Sequence, residues 1–245
     1  MQPHSDNLAR ARWIILAVAA LAVAMLLASG PGTRYGLWPW QTGLVLVKWS
    51  LFAGVVAAVG ALGLLVLLAF PRFRVRPWMP LLALCLALAA VAPPLILLGQ
   101  AQRVPPIHDI STDTTDPPAF VGLLEERTKA PNGFAYGGEA VAVEQRRAYA
   151  DIKPLVLKTG PRETTQRAID AARAMGWEVA VADAAAGRIE ATDTSTWFGF
   201  KDDIVIRVRP EGSGSRVDVR SVSRVGESDL GANAKRIKGF LARLA

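Results

Sequence analysis

The nine residues His108-Asp109-Ile110-Ser111-Thr112-Asp113-Thr114-Thr115-Asp116 are the chain's densest run of groups that could do chemistry. His108, Asp109, Asp113 and Asp116 are the donor types a hard divalent cation takes. The run lacks the glycine turn and terminal bidentate Glu of a calcium loop, and Pro117-Pro118 follow it. The favoured reading is therefore an extended linker whose Asp and Thr side chains bond the local backbone, with no metal expected. His108, Asp109 and Ser111 are the residue types of a nucleophilic triad, yet the chain has no Gly-x-Ser-x-Gly elbow, and no catalytic residue is assigned.

Further along, Asp202 and Asp203 are adjacent carboxylates. Neighbours on a strand point to opposite faces, so they cannot share a substrate, and they are expected as a strand-edge pair beside Lys201. Gly212-Ser213-Gly214 has no Lys-Ser/Thr after it and reads as a hairpin turn rather than a phosphate loop. Arg207, Arg209, Arg216 and Arg220 alternate onto one sheet face. Such a face could meet an anionic headgroup or polymer, but a solvated face with Asp218 as internal partner is the favoured reading. Trp197-Phe198-Gly199-Phe200 places three aromatics in four residues; burial is expected for most of them, with one ring left exposed as a contact point.

The elements that position these groups fall into two parts of different composition. Of 28 Lys/Arg and 21 Asp/Glu in 245 residues, residues 1–103 hold eight basic residues and one acid, leaving 20 of each sign for 104–245. The net charge of +7 thus belongs to the apolar part. The second part is neutral, which excludes a nucleic-acid-binding module with its basic footprint. One cysteine, Cys85, excludes an intrachain disulfide and a Cys-based zinc site, and two histidines leave little for His-rich metal sites. No cofactor is expected.

Residues 1–103 read as a membrane domain with transmembrane helices at about 13–29, 42–70 and 78–98, each near the roughly 20 residues that span a bilayer's apolar core. Trp13, Phe73 and Trp78 sit at one set of ends and Tyr35, Trp38, Trp40 and Trp49 at the other, as interfacial belts do. Lys48 can snorkel outward. Ala53, Ala57 and Ala61 with Gly60 and Gly63 give a small-residue packing face, and Pro93-Pro94 should kink or shorten the third helix. Arg10, Arg12, Arg72, Arg74 and Arg76 flank one side against Arg34 and Arg103 on the other. This five-to-two excess predicts a cytoplasmic N-terminus and a periplasmic or extracellular C-terminal domain, on a multi-pass protein of the cytoplasmic membrane. Arg10 and Arg12 before the first run and Ala28-Ser29-Gly30 after it also fit a cleaved signal peptide; cleavage leaves two spans and the same final orientation. Three helices with only Lys48 charged offer no polar pathway, so a transporter or channel subunit, a third reading, would require other subunits.

Residues 99–120 read as a proline-bearing extended linker, and 119–158 show little periodicity. From there the signals sharpen. Gly160-Pro161-Arg162-Glu163 opens a helix with the stripe Thr165, Ala168, Ile169, Ala172, Met175, closed by Gly176. Trp177, Val179 and Val181 alternate, and Ile189 and Ala191 alternate again after Asp183–Gly187, predicting a hairpin. A second hairpin, 202–210 with 215–223, turns at Glu211–Gly214 and pairs residues whose numbers sum to 425, so Ile206 faces Val219 and Arg207 faces Asp218. Ser228 or Asp229 can cap a final helix presenting Ile237, Phe240, Leu241 and Leu244. The predicted class is α+β: three transmembrane helices, then a two-layer domain over 104–245 in which two helices cover antiparallel hairpins.

Several of these stretches occur together in one family. DISTDTTDPPAF (Asp109–Phe120), Arg147-Ala148-Tyr149 with Asp151-Ile152 and Pro154-Leu155, Gly176–Pro210 and Ser215–Leu241 resemble the domain-of-unknown-function 1499 family across roughly residues 104–245. The preceding helices look like a membrane-anchored bacterial version. The family has no established activity, so the resemblance carries over no site. It marks Asp113, Asp116, Pro117, Pro118, Trp197, Lys201, Asp202, Asp203, Arg220, Ser221, Ser223 and Asn233 as the positions to mutate first. The functional expectation is a bilayer-anchored module that binds an envelope protein or ligand without catalysis, with Asp113, Asp116, Trp197, Lys201, Asp202, Asp203 and Arg220 as candidate contacts. The alternative is an envelope enzyme acting on lipid or cell-wall substrate through 108–116.

Overall fold

The computed structural model describes residues 3–67, 70 and 76–245, with side chains from residue 7 onward. Arg72, Phe73 and Arg74, which the orientation and interface readings use, lie outside the described residues. The chain divides into two compact units, one of residues up to Gly99 with Thr196–Gly199, the other of Gln100–Ser195 and Phe200–Ala245.

The first unit is built on α1 (Pro3–Arg34), α2 (Trp40–Leu67) and α3 (Trp78–Ala101). Each is long and apolar enough to cross a membrane. Their packing is that of helices with an apolar solvent. Gly43, Ser50, Gly54, Ala57, Ala61 and Leu64 of α2 are buried, as are Ala83, Ala87 and Ala90 of α3, while Val55, Val56, Val59, Leu62 and Val66 point outward. Small residues let the backbones approach and leave the large side chains to the surroundings. Ala57 and Ala61 bear out the expected small-residue face, and Gly60 lies against Ile15. Gly63 does not belong to it: nothing lies within 4 Å of where its Cβ would be. Between α2 and α3 a close-approach position is Gly54, whose Cβ would meet Val91 at 2.8 Å. Helix α3 is not shortened at Pro93-Pro94 but continues to Ala101.

The second unit contains β1 (Asp109–Ser111), α4 (Leu124–Lys129), α5 (Gly138–Ala148), β2 (Leu155–Leu157), α6 (Pro161–Ala174), β3 (Glu178–Asp183), β4 (Arg188–Thr194), β5 (Lys201–Glu211), β6 (Gly214–Ser223) and α7 (Ala232–Leu244). The six strands form one antiparallel sheet in the order β1-β6-β5-β4-β3, with β2 also pairing β6. Ile206 pairs with Val219 and Arg207 with Asp218, the predicted register. Gly212, at φ +58°, supplies the positive φ that the first central residue of a tight hairpin turn needs.

Helix α6 begins where expected, with Gly160 in extended conformation ahead of Pro161. Asp229 does the capping for α7, accepting from the N–H groups of Gly231 and Asn233 at 2.7 and 2.9 Å, although the N-cap position itself is Gly231 at φ +83°. One sheet face packs against α6 and α7 through Ile189, Ala191, Ile204, Ile206, Val217 and Val219 with Ala168, Ile169, Ile237 and Phe240. Trp177 stacks on Phe240 with centroids 5.4 Å apart. This is the α+β architecture read from the sequence, with additions ahead of α6: β2, α4 and α5 form in 119–158, where the sequence shows little periodicity. The stretch expected to be a linker contributes edge strand β1, and the residues after it lie over the sheet's second face.

Candidate functional site

The second face is ionic. Alternation along β4, β5 and β6 puts Arg188, Glu190 and Thr192, then Asp203, Arg207 and Arg209, then Arg216, Asp218 and Arg220 on the side away from α6 and α7. Asp218 is completely buried and accepts from three guanidinium groups: Arg207 Nη2 at 3.1 Å, Arg209 Nη2 at 2.9 Å and Arg216 Nε at 2.9 Å. The expected partner of the arginine row is therefore right, but the row is not simply solvated. Asp113 and Asp116 lie over it. Asp113 Oδ2 accepts from Arg216 at 2.8 Å, and Asp116 Oδ2 sits 3.1 Å from Arg207 and 3.2 Å from Arg209. Asp113 Oδ1 also accepts from the backbone N–H groups of Thr115 and Asp116. Burial pushes its carboxyl up, but those N–H groups and the charges of Arg216 and Arg207 outweigh it and hold the carboxyl below its ordinary range.

The rest of the cover is held by side chains distant in sequence. Glu190, fully buried, accepts from the N–H of Val121 through one oxygen and of Leu123 through the other, both at 2.8 Å. Arg188 donates to the Ala119 carbonyl at 2.6 Å. Arg220 forms a two-pronged pair with Asp109 and donates to the Pro118 and Phe134 carbonyls, its guanidinium over the rings of Phe120 and Tyr136. Burial, with Asp109 nearby, pushes the Tyr136 phenol up to about 12. Arg127 of α4, also fully buried, reaches Asp203 and the carbonyls of Val222 and Gly133. Gln145 of α5 closes the free edge of β1, accepting from Ser111 N–H at 2.9 Å and donating to its carbonyl at 2.6 Å.

Asp202 and Asp203 do face opposite ways, but neither rests on Lys201, which is exposed, and β5 is an inner strand rather than an edge. Asp203 binds Arg224 at 2.8 Å and Thr192 Oγ1 at 2.8 Å. Asp202 lies on the α7 side and takes Arg236 Nη2 at 2.6 Å, while Arg236 Nε binds Asp193 at 2.8 Å. Arg236 also donates to Ser221 Oγ, which donates to Asn233 Oδ1 at 2.6 Å; Asn233 Nδ2 in turn bonds Ser223 Oγ and the His108 carbonyl at 3.0 Å each. Four of the family-motif residues thus meet in one polar network below α7.

The acidic run is therefore split up. Asp109 goes to Arg220, Asp113 and Asp116 to the arginine row, and the His108 ring lies beside the Glu227 carbonyl at 3.3 Å. Among the described residues no cluster of three His, Cys, Asp or Glu side chains could hold a metal. Trp197 is 44% exposed and falls in the first unit with the half-buried Phe198, while Phe200, also half-buried, falls in the second.

Two open grooves flank α7. One, of about 560 Å³, is lined by Tyr149, Gly231, Lys235 and Lys238. The other, of about 570 Å³, runs between Met175, Trp177, Lys235, Gly239 and Arg243. Sequence reasoning did not reach Glu190, Arg127, Gln145 or the grooves. The available signals were a lone Glu amid the apolar alternation of β4 and an α7 with four basic residues and no acid.

A comparison with curated proteins finds no match. The model of the family described as "Protein of unknown function (DUF1499)" matches residues 109–244, more than half of the chain and nearly all of its second unit. The chain belongs to the DUF1499 family.

Proposed function

We propose that this protein is a membrane-anchored module whose DUF1499 domain binds an envelope partner or ligand on the extracytoplasmic side, without catalysis. The observation that supports this most is the state of the candidate chemical groups. Asp109, Asp113, Asp202 and Asp203 each face an arginine inside the fold, and the more exposed Asp116 pairs with Arg207 and Arg209 at its surface, so each carboxylate is engaged in holding structure rather than poised as a general acid, base or metal ligand. Lys235 and Arg243 on the grooves beside α7 instead face outward, where a ligand could reach them.

Placement outside the cytoplasm is supported by the five-to-two excess of basic residues flanking the apolar runs. Reporter fusions after Leu98 and at the C-terminus test it: alkaline phosphatase is expected to be active at both sites, and fluorescence of a cytoplasm-only reporter there would reverse the topology. The binding reading is tested by native mass spectrometry of the full-length protein released from its own membrane in mild detergent. A lipid, metabolite or protein carried along in fixed stoichiometry is expected. A divalent cation retained with turnover of a lipid or cell-wall substrate would overturn it in favour of the envelope enzyme.

A further inference from the structure

The groove between the end of α6, the start of β3 and α7 has a composition that selects a ligand. Lys235, Gly239 and Arg243 succeed one another at four-residue intervals and so form one stripe on α7, two cations with a gap between them. Among the described residues neither Lys235 nor Arg243 is in an ion pair, whereas Lys238 on the neighbouring face is held by Asp151 at 2.6 Å. The apolar wall is the half-buried Met175 with the small part of Trp177 that the core and Phe240 leave uncovered. The carboxylate on the wall, Asp193, is neutralised by Arg236 at 2.8 Å. Gly239 keeps the groove open. A Cβ there would meet only Met175 Cε, at 3.7 Å, an ordinary contact, so the helix has room for a side chain that the sequence does not place.

We propose that this groove binds the headgroup of an anionic phospholipid, its phosphate between Lys235 and Arg243 and the first carbons of its apolar part along Met175 and Trp177. The proposal rests on the binding-module reading and names its ligand. Two unpaired cations suit a phosphate oxygen cluster. The apolar wall has no use for a free phosphate ion but matches an amphiphile. A chain with three helices of bilayer-spanning length has phospholipids as its neighbours.

The test uses full-length protein, delipidated in detergent and titrated with phosphatidylglycerol or phosphatidylcholine under native mass spectrometry. Wild type is expected to retain one phosphatidylglycerol per chain beyond the phosphatidylcholine background. The double variant K235Q/R243Q should weaken that adduct roughly tenfold, the loss of two charge-assisted contacts. G239L should remove it by filling the groove while the melting temperature stays level or rises, since glycine is the poorer helix former. Equal phosphatidylglycerol occupancy in wild type and K235Q/R243Q, or equal retention of both lipids, would overturn the site. Glycerol phosphate binding as tightly as the lipid would overturn the lipid assignment. If the site fails while another ligand leaves the native membrane with the protein, the binding-module reading stands without it.

Discussion

Arg220 and Asp109 meet in a two-pronged ion pair, Nε to Oδ1 at 2.9 Å and Nη2 to Oδ2 at 2.7 Å, with side chains only 3% and 5% exposed. The pair joins β6 to edge strand β1, and the same guanidinium holds the carbonyls of Pro118 and Phe134. Removing one partner leaves a buried charge without its counter-ion, so Arg220→Ala or Asp109→Ala should each cost about 3–5 kcal/mol. Arg220→Lys keeps the charge but loses the second prong and the guanidinium placed over Phe120 and Tyr136, and about 2 kcal/mol is expected. Denaturant unfolding of the full-length protein in detergent reads all three. A lysine variant as stable as wild type would show that the planar geometry contributes nothing.

Glu190 makes a second, independent prediction. Its two oxygens each accept one backbone N–H, from Val121 and Leu123. A glutamine can replace only one acceptor and turns an NH₂ toward the other N–H. Glu190→Gln should therefore destabilise by about 1–3 kcal/mol and loosen the cover locally. Hydrogen exchange should quicken at Val121 and Leu123 and stay slow at Ile204 and Ile206, which face the opposite side of the sheet against α6 and α7.

The pH response of the arginine row follows from Asp113. A carboxyl whose folded pKa lies below its unfolded value stabilises the fold above the ordinary carboxylate range, and that contribution is lost as pH falls through the folded value. Wild type should therefore lose stability on acidification from neutral pH to below pH 4, part of it through Asp113. Asp113→Asn should be less stable at neutral pH and show a smaller further loss. Urea midpoints at neutral and acid pH give the comparison. An unchanged difference between the two pH values would mean that the carboxylate's charge plays no part in holding the segment over the arginines.

These relationships separate what local patterns encode from what they do not. The β5–β6 register follows from alternation on both sides of a glycine turn, and α6 from Gly160-Pro161 ahead of an apolar stripe, so both can be read within a dozen residues. Asp109 and Arg220 lie 111 residues apart, and Glu190 and Val121 lie 69 apart. Nothing periodic links such partners, and Asp109-Ile110-Ser111 is too short and polar to announce a strand. Helix α5 buries only Ala142 and Gln145, leaving almost no stripe to detect. Adjacent carboxylates at Asp202 and Asp203 disclosed their opposite directions but not Arg236 or Arg224, which arrive from later turns of the chain. The motif residues were thus legible as a set before their partners were.

The helices of the first unit give a paired prediction, because two glycines on α2 differ only in what surrounds them. At Gly54 a Cβ would come within 2.8 Å of Val91 Cγ2 and 3.2 Å of the Ala87 carbonyl, so α3 blocks any side chain there. At Gly63 nothing lies within 4 Å. Both are mid-helix, so replacing either by leucine gives the same intrinsic gain in helix propensity, and the difference between them isolates helix packing. Gly54→Leu should lower the melting temperature in detergent by several degrees, as backbone and side chains of α2 and α3 are forced apart. Gly63→Leu should leave it level or raise it slightly. Similar melting temperatures for the two would mean that close approach at Gly54 does not hold α2 to α3. A loss only at Gly63 would place the packing seam on the other face of α2.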